Sequence, residues 1–387
     1  MTRSSPVSRR GMLLGGGLTA VGVGAGVAGA TAAQRITEPE PPELLIDFHG
    51  PHQAGVETPP QQHLVLNAYD LRPETDREAA RRMLTLVTDD SSRLTRAEPA
   101  INDQEPQLAT VPARLTITLG FGPGWFDKLG LQQLRPTGLA DLPAYEIDRL
   151  QPEMGDGDLL VQIGADDPTV LSHTARQLTK TIRGFAAPRW AQRGFTAEPR
   201  NLMGQVDGTV NPQAATDDFG AVVWSSEPGW FTGGTTMVFR RIRMQLDTWD
   251  ELDAIGKELA VGRTLGTGAP LTGSAEHDVP DFAATDANGL PIIPPFSHVA
   301  RAAPRHGVDR FLRRPYSYDD GLVDGTTDAG LLFCTFQADI ATQYVPVQDR
   351  LAELDSLNDW TVPIGSGVYA IPPGCEPGGF IGEGLFG

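Results

Sequence analysis

The segment GQVDGTVNP, residues 204–212, places an acid between two glycines. Glycine, aspartate and Asn-Pro are all typical of tight turns, so Asp207 has a simple interpretation as a turn former. In the alternative interpretation, Gly204 and Gly208 let the backbone approach a ligand closely while Asp207 moves protons. The motif alone favours the turn former, and the choice depends on which groups the rest of the chain places beside it.

Among the seven histidines, His298 has the sequence context best suited to a metal ligand. It lies in PPFSHVARAAPR, with apolar residues before it and Arg301 and Arg305 after it. A neutral imidazole in apolar surroundings suits an axial haem ligand, and nearby arginines suit the haem propionates. A hydrogen-bonded loop histidine is the commoner explanation, so both interpretations stay open at this point.

Two adjacent arginines, Arg313 and Arg314, follow in the segment FLRRPYSY. Such a pair is usually solvated or bound to surface acids. An arginine that points into an apolar cavity beside a carboxylate has another use in peroxide chemistry. The carboxylate moves a proton from one peroxide oxygen to the other, and the guanidinium stabilises the charge that develops as the O–O bond breaks.

The elements that must position these residues follow one pattern twice. A strand-like run precedes a helix-like run at 63–70 and 76–87, 159–163 and 168–181, 236–241 and 248–259, and 330–337 and 341–354. Further strand-like runs cover 113–119 and 366–371. The pattern predicts an α+β fold made of two ferredoxin-like domains. The irregular segment 263–318 is long enough to indicate a functional loop.

The N-terminal residues predict an export signal. Arg9 and Arg10 precede a Gly- and Ala-rich apolar run at 12–30, and small residues at 30–32 offer a cleavage site. The twin arginine indicates the Tat route, and the run is weakly hydrophobic for the alternative, a membrane anchor. We therefore expect a signal peptide at 1–32, a linker at 33–44, and domains at 45–215 and 216–387.

Composition excludes several classes of function. Removal of residues 1–32 takes away three arginines and no acids, which moves the formal charge from −18 to −21, so nucleic acid is a poor partner. The sequence contains no CxxCH, which excludes covalent c-type haem. It also contains no CxxC or HExxH pattern that would indicate a zinc site. Two cysteines, Cys334 and Cys375, do not make a disulfide framework.

Five motifs in order resemble those of the dye-decolourising peroxidases, a haem family with two ferredoxin-like domains. GQVDGTVNP fits the GxxDG motif, SHVARAAPR resembles the proximal-histidine segment, and LRR resembles the distal-arginine segment. FHGPHQAG resembles a G-x-HQ-x-G stretch near the start, and NDWTVPIG resembles the C-terminal segment whose acid bonds the proximal histidine. The motifs run from about residue 45 to the C-terminus. Gln205 and Val206 replace the phenylalanine or similar residue of many members, which would change the cavity lining.

The resemblance implies a role for each matched residue. His298 would ligate the iron of a non-covalent haem b, and Asp359 would accept the other N–H of its ring. Asp207 would be the distal acid–base residue, with Arg313 as the distal arginine and Arg314 as the alternative. The other expected haem contacts are Gly204, Gly208, Arg263, Arg301 and, more weakly, Arg305.

The resemblance also implies the activity and the arrangement of the domains. The protein would be an extracytoplasmic haem peroxidase, periplasmic or secreted, that uses hydrogen peroxide to oxidise dyes, phenols or other small one-electron donors through a ferryl intermediate. Tyr316 and Tyr318 are candidates to pass electrons from the surface. The two domains would form a dimeric α+β barrel-like arrangement with haem in the second.

Two alternatives share the fold and the motifs. One is a deferrochelatase that releases iron from haem within an iron-uptake system, with components of that system and the Tat machinery as partners. The other is a haem carrier, which does not need a distal acid.

Overall fold

The computed structural model describes residues 44–196, 200–216, 218–305, 307–323 and 325–387. The expected signal peptide and residues 33–43 of the expected linker lie outside the described residues. Residues Glu43–Gly387 form one compact unit. Within the described ranges, none of the helices combines the length and the apolar run that a membrane span requires.

The described residues contain nine strands and eight α-helices. The strands are β1 His63–Leu71, β2 Thr116–Phe121, β3 Leu159–Ala165, β4 Ala186–Phe195, β5 Thr235–Met244, β6 Leu312–Arg313, β7 Tyr316–Val323, β8 Thr326–Gln337 and β9 Thr361–Ile371. The helices are α1 Arg77–Thr95, α2 Pro123–Lys128, α3 Pro168–Ile182, α4 Phe219–Val223, α5 Leu246–Trp249, α6 Ala254–Val261, α7 His298–Ala302 and α8 Val345–Leu354.

The strands form one antiparallel sheet that closes into a barrel. Its order is β5-β9-β2-β3-β1-β4-β7-β8, and β8 pairs again with β5, while the short β6 also pairs with β8. Apart from the short β6, each half of the chain therefore has the same strand order in one direction around the barrel, β4-β1-β3-β2 in the first half and β9-β5-β8-β7 in the second. One residue pair joins the halves on each side, Phe121 with Ala370 and Phe195 with Ser317. The α+β class and the barrel are confirmed, whereas the division into two ferredoxin-like domains and the dimeric arrangement stay predictions.

Alternation along the strands separates the barrel interior from the outer layers, because successive side chains point to opposite faces. On β1, Leu64 and Leu66 belong to the interior cluster. Their neighbours Val65 and Tyr69 belong to the outer cluster, which also contains Met83 of α1.

Local signals account for most helix starts. Asp76 caps α1 by accepting from the backbone N–H of Ala79, and Asp167 caps α3 in the same way before Pro168. The single helix predicted at 248–259 is wrong, because Asp253 accepts from Gly256 and starts a new helix, α6, after the end of α5. Strand β4 was not predicted, because Pro188 is atypical of strands and the buried Gln192 and exposed Phe195 break the apolar–polar alternation.

The outer face of the second half has a different cover. Among the described residues, the short helices α5, α6, α7 and α8, of four, eight, five and ten residues, pack there together with the irregular segment before β6. Beneath them lies a small cluster of buried apolar residues that includes Met203, Met244, Trp249, Val261 and Leu331. This region contains the residues with candidate chemical roles.

Candidate active site

Asp207 and Arg313 form an ion pair on the outer face of the second half. Arg313 Nη1 lies 3.1 Å from Asp207 Oδ1, and both side chains are about four-fifths buried, with exposures of 22% and 19%. Gly204 and Gly208 have φ angles of 83° and 92°, in the left-handed region that favours glycine. The backbone N–H of Gly208 donates to Asp207 Oδ1 at 2.7 Å. The segment is therefore a tight turn and also the element that aims Asp207 at an arginine.

Strand pairing decides which of the two arginines lies beside Asp207. Arg313 pairs with Thr335 of β8 in the short strand β6. Arg314, the next residue, is 3% exposed and donates to Gln61 Oε1 at 2.7 Å and to the Thr58 carbonyl. The two side chains therefore have separate environments, and Arg313 is the one at the candidate site.

Asn211 connects the acid-bearing turn to the arginine-bearing strand. Its Oδ1 accepts from the backbone N–H of Arg313 at 2.9 Å, and its Nδ2 donates to the Arg313 carbonyl at 2.6 Å. From the sequence, Asn-Pro predicted only a turn, and this contact was not predicted. A side-chain amide within the motif was the available clue, since it can donate and accept at once.

His298 is the first residue of α7, and its ring is oriented by a carboxylate. Nδ1 donates to Asp355 Oδ2 at 2.6 Å, and the His298 side chain is 35% exposed. Burial disfavours the charged imidazole, but the charge of Asp355 and this hydrogen bond outweigh burial and raise the pKa of His298. With the ring proton held on Nδ1, Nε2 presents its lone pair, and no described residue hydrogen-bonds Nε2. This is the arrangement of a metal-ligating histidine.

The carboxylate that accepts from His298 is Asp355, so the prediction of Asp359 is wrong. Asp355 follows the last residue of α8, is 7% exposed, and caps the following turn by accepting from the N–H of Leu357 at 3.0 Å. Asp359 lies at the far end of that turn and is exposed. The end of α8 therefore fixes which acid reaches the histidine.

Arginines hold α7 against α8 and so place His298 beside Asp355. Arg301 Nε donates to the Arg350 carbonyl at 2.9 Å, and Arg350 Nε donates to the Arg301 carbonyl at 3.1 Å. Arg301 also forms an ion pair with Glu353. Arg301 therefore packs two helices together, and its predicted propionate contact stays a prediction, as does that of Arg305.

Arg263 is buried near Arg313. It is 7% exposed, and its Nη1 donates to the carbonyls of Gly268 and Glu276 at 2.6 and 2.8 Å. Burial lowers the pKa of Arg263; Glu276 opposes this effect, and the positive charge of Arg313 adds to it. Its other N–H groups have no hydrogen-bond partner among the described residues, so they are available to a carboxylate such as a haem propionate.

The residues of the site fit haem. Asp207 and Arg313 lie near enough to His298 for their charges to affect its pKa, which Asp207 raises and Arg313 lowers. Val299 and Phe333 pack against the apolar cluster beneath. Gln205 is 6% exposed, and its Nε2 is a buried donor without a partner among the described residues. A free imidazole nitrogen, apolar walls and unpaired polar groups are what an iron porphyrin with propionates requires.

The chain matches two family models along most of its length. Residues 53–196 match the model described as Dyp-type peroxidase, N-terminal, and residues 198–376 match Dyp-type peroxidase, C-terminal. The chain belongs to the Dyp-type peroxidase family. It is therefore a haem peroxidase enzyme by family.

Similar proteins have two different names. A dye-decolorizing peroxidase of Thermobifida fusca is 36% identical over 98% of this Dyp-type chain and 97% of the relative. A deferrochelatase of Escherichia coli is 33% identical over 95% of this chain and 94% of the relative. The crystal structure of a DyP-type peroxidase from Cellulomonas bogoriensis has 48% sequence identity to this chain. The superposition covers 88% of this chain and 98% of that chain, with a TM-score of 0.86.

Two pairs of buried side chains in this Dyp-type peroxidase were also singled out in the sequence. Tyr316 and Tyr318 are 1% and 0% exposed inside the barrel, so neither accepts an electron directly at the surface. Cys334 and Cys375 are both free and buried, Cys334 in the barrel interior and Cys375 in the outer cluster.

Proposed function

We propose that this Dyp-type peroxidase reduces hydrogen peroxide at a non-covalent haem b ligated by His298, and takes electrons from dyes, phenols or other small donors. The observation that supports this most directly is the Asp207–Arg313 pair, 3.1 Å apart, whose two charges both act on His298. An acid beside a fixed positive charge is the combination that cleavage of an O–O bond requires.

When bound, haem supplies the iron that binds peroxide and the electrons that reduce it. Asp207 then moves the proton. Its Oδ1 accepts from Arg313 and Gly208, whereas Oδ2 has no hydrogen-bond partner among the described residues. Oδ2 takes a proton from one peroxide oxygen and returns it to the other, which leaves as water. Arg313 stabilises the negative charge on the departing oxygen, and Asp355 keeps the imidazole of His298 oriented.

The proposal is tested with haem-loaded protein, peroxide and an anthraquinone dye. Asp207→Asn keeps the shape of the side chain but removes the base, so we expect the reaction with peroxide to slow by about 10²–10⁴-fold while haem stays bound. Asp89→Asn, an exposed acid on α1, is the matched control and should react like the unaltered protein. An unchanged rate for Asp207→Asn would show that Asp207 does not transfer the proton.

Release of iron from haem is the second candidate, because relatives named deferrochelatase align with nearly the whole chain. Incubation of the protein with haem and peroxide distinguishes the two activities. Free protoporphyrin, detected by its fluorescence, supports iron release within an iron-uptake system, and oxidised dye supports the peroxidase. The Asp207–Arg313 pair counts against a haem carrier, which has no use for a proton-transferring acid.

We propose export of the folded protein by the Tat machinery to an extracytoplasmic location, supported by Arg9 and Arg10 before an apolar run. Replacement of both by lysine should keep the full-length chain inside the cell, and continued export of that variant would contradict the proposal.

We also propose that the two halves, 45–215 and 216–387, are ferredoxin-like domains, joined as in a dimeric α+β barrel with haem in the second. The identical strand order of the halves supports this. The second half, expressed alone, should fold and bind haem, as it does when it is expressed together with the first half. A second half that folds alone but binds no haem would contradict the assignment of the cofactor to it.

A further inference from the structure

A basic cleft lies on the outer face of the first half. Its volume is about 560 Å³, and it opens between α3 and the strands β1 and β4. The residues that line it are Asn67, Ser172, Ala175, Arg176, Thr179, Lys180, Arg183 and Arg193. Four of these eight residues are cationic, and none is acidic.

One face of α3 forms one wall of the cleft. Ser172, Arg176, Thr179 and Arg183 recur at spacings of three and four along α3, which places them on one helix face. On β4, the outward residues are exposed, and the small side chain of Ala191 precedes Arg193 by one outward position. The gap beside this helix face is therefore bounded by cations on both sides.

Much of this positive charge is not neutralised by the protein itself. Arg176 and Lys180 share one carboxylate, Glu105, at 3.2 and 3.8 Å. Arg183 and Arg193 have no hydrogen-bond or ion-pair partner for their guanidinium groups among the described residues. Two of the four cations are therefore unpaired among the described residues, in a chain where acids outnumber bases by 49 to 31.

The helix dipole explains only part of this arrangement. Lys180 and Arg183 lie in the last turn of α3 or directly after it, where positive charge stabilises the carbonyl end of a helix. Arg193 is on a strand, and Arg176 is more than one turn from the helix end. The ion pair with Glu105 accounts for Arg176, so Arg193 is the residue that requires another reason to face the cavity.

We propose that the cleft binds a small molecule that has a phosphate or sulfonate group. A free guanidinium fork, such as that of Arg183 or of Arg193, can donate two N–H groups to the oxygens of such a group, and Lys180 adds a point charge. The volume is within the range of small-ligand sites, and Asn67 and Ser172 offer polar contacts beside the anion. Low-dielectric walls focus the positive potential of the cleft and attract anions despite the negative net charge. The site is separate from the haem peroxidase activity and does not depend on it.

Calorimetric titration of the haem-loaded protein with inorganic phosphate and with phenyl phosphate, at an ionic strength fixed with sodium chloride, tests this proposal. We expect one saturable site, and at least tenfold weaker binding after the double change Arg183→Ala and Arg193→Ala. The matched control, Arg77→Ala with Arg82→Ala on α1, removes the same charge elsewhere on the surface and should bind as the unaltered protein does.

Two outcomes would overturn the proposal: no saturable binding to the unaltered protein, or equal affinity in the cleft variant and the control. If the alanine variant does not fold, Arg183→Lys with Arg193→Lys keeps the charge and removes the forks, and unchanged affinity there contradicts the geometry. Tighter binding of phenyl phosphate than of inorganic phosphate would identify an organic ligand. Equal affinity for the two would identify a free inorganic anion, and either result supports an oxyanion site.

Discussion

The two halves of the barrel share a strand order but differ in what covers their outer faces. The first half is covered by α1 and α3, of 19 and 15 residues, whose buried side chains continue the apolar core. The second half is covered by α6, α7 and α8 and by a long irregular segment. Regular helices fill one face, whereas short helices and turns leave room on the other for an acid, an arginine and a histidine.

This difference indicates how one architecture serves two purposes. A closed sheet fixes the positions of its strands, so a residue at a strand end or in the turn next to it is held firmly. Arg313 is in a two-residue strand, and Asp207 is in the turn that bonds to it. The first half contains a comparably buried ion pair, Arg114 with Asp166 at 3.1 Å, so such a pair alone does not distinguish the halves. The histidines do: both ring nitrogens of His173 in the first half are hydrogen-bonded, whereas Nε2 of His298 has no partner among the described residues.

The largest effect that would separate the halves is loss of the cofactor. His298→Ala removes the proposed iron ligand, and we expect haem content to fall close to zero, measured as the Soret absorbance per protein. Leu84→Ala in α1 of the first half should cost about 2–5 kcal/mol of unfolding free energy through a buried cavity, with haem content unchanged in the folded protein. Normal haem content in His298→Ala would assign the ligand to another residue.

The neighbouring arginines provide the next test, because one faces the site and the other faces the first half. Arg313→Leu should slow the reaction with peroxide by about 10²–10³-fold with little loss of stability. Arg314→Leu leaves Gln61 Oε1 and the Thr58 carbonyl unpaired, which should lower the unfolding free energy by about 1–3 kcal/mol without slowing the reaction. Stopped-flow kinetics measures the rate with peroxide, and thermal unfolding measures the stability. A slower reaction in Arg314→Leu and a lower stability in Arg313→Leu would show that Arg314 is the distal arginine.

A smaller effect is expected at the carboxylate behind the histidine. Asp355→Asn keeps the cap on the turn but weakens acceptance of the His298 N–H, so haem affinity or activity should fall by about 10–100-fold. Asp359→Asn, four residues further along the chain, is the matched control and should change neither. The iron–histidine stretching frequency gives a direct readout, because it responds to the hydrogen bond on Nδ1, and an equal shift in both variants would contradict the assignment.

The smallest effect concerns Asn211 as a positioning residue for Arg313. Asn211→Ala removes two hydrogen bonds to the Arg313 backbone, and we expect a roughly tenfold lower rate with peroxide and a changed pH profile. In protein that already contains Arg313→Leu, Asn211→Ala should lower the rate with peroxide little further, because Asn211 acts through Arg313. Additive losses in the double variant would indicate a general structural role instead.

Much of this architecture was predictable from local sequence. The runs at 63–70 and 330–337 lie within strands β1 and β8, and the runs at 76–87 and 168–181 lie almost entirely within helices α1 and α3. The motif around Asp207 and the pair Arg313–Arg314 identified the two sides of the ion pair that the structure contains. The prediction of one helix at 248–259 was wrong because it used only the spacing of apolar residues. Asp253, within that run, caps a new helix, and this local signal competes with the spacing.

The sequence by itself determined the residue types and the turns: glycines that permit left-handed backbone around Asp207, alternation that separates Arg313 from Arg314, and aspartates that start helices. The tertiary structure decided which of these residues meet. Asp207 and Arg313 are 106 positions apart, and His298 and Asp355 are 57 apart. Propensity and periodicity act over a few residues, so they do not specify whether Asp355 or Asp359 accepts from His298, or that Asn211 bonds the backbone of Arg313. Closure of the barrel and the packing of α7 on α8 specify both, because they fix the distances between segments that are remote in the chain.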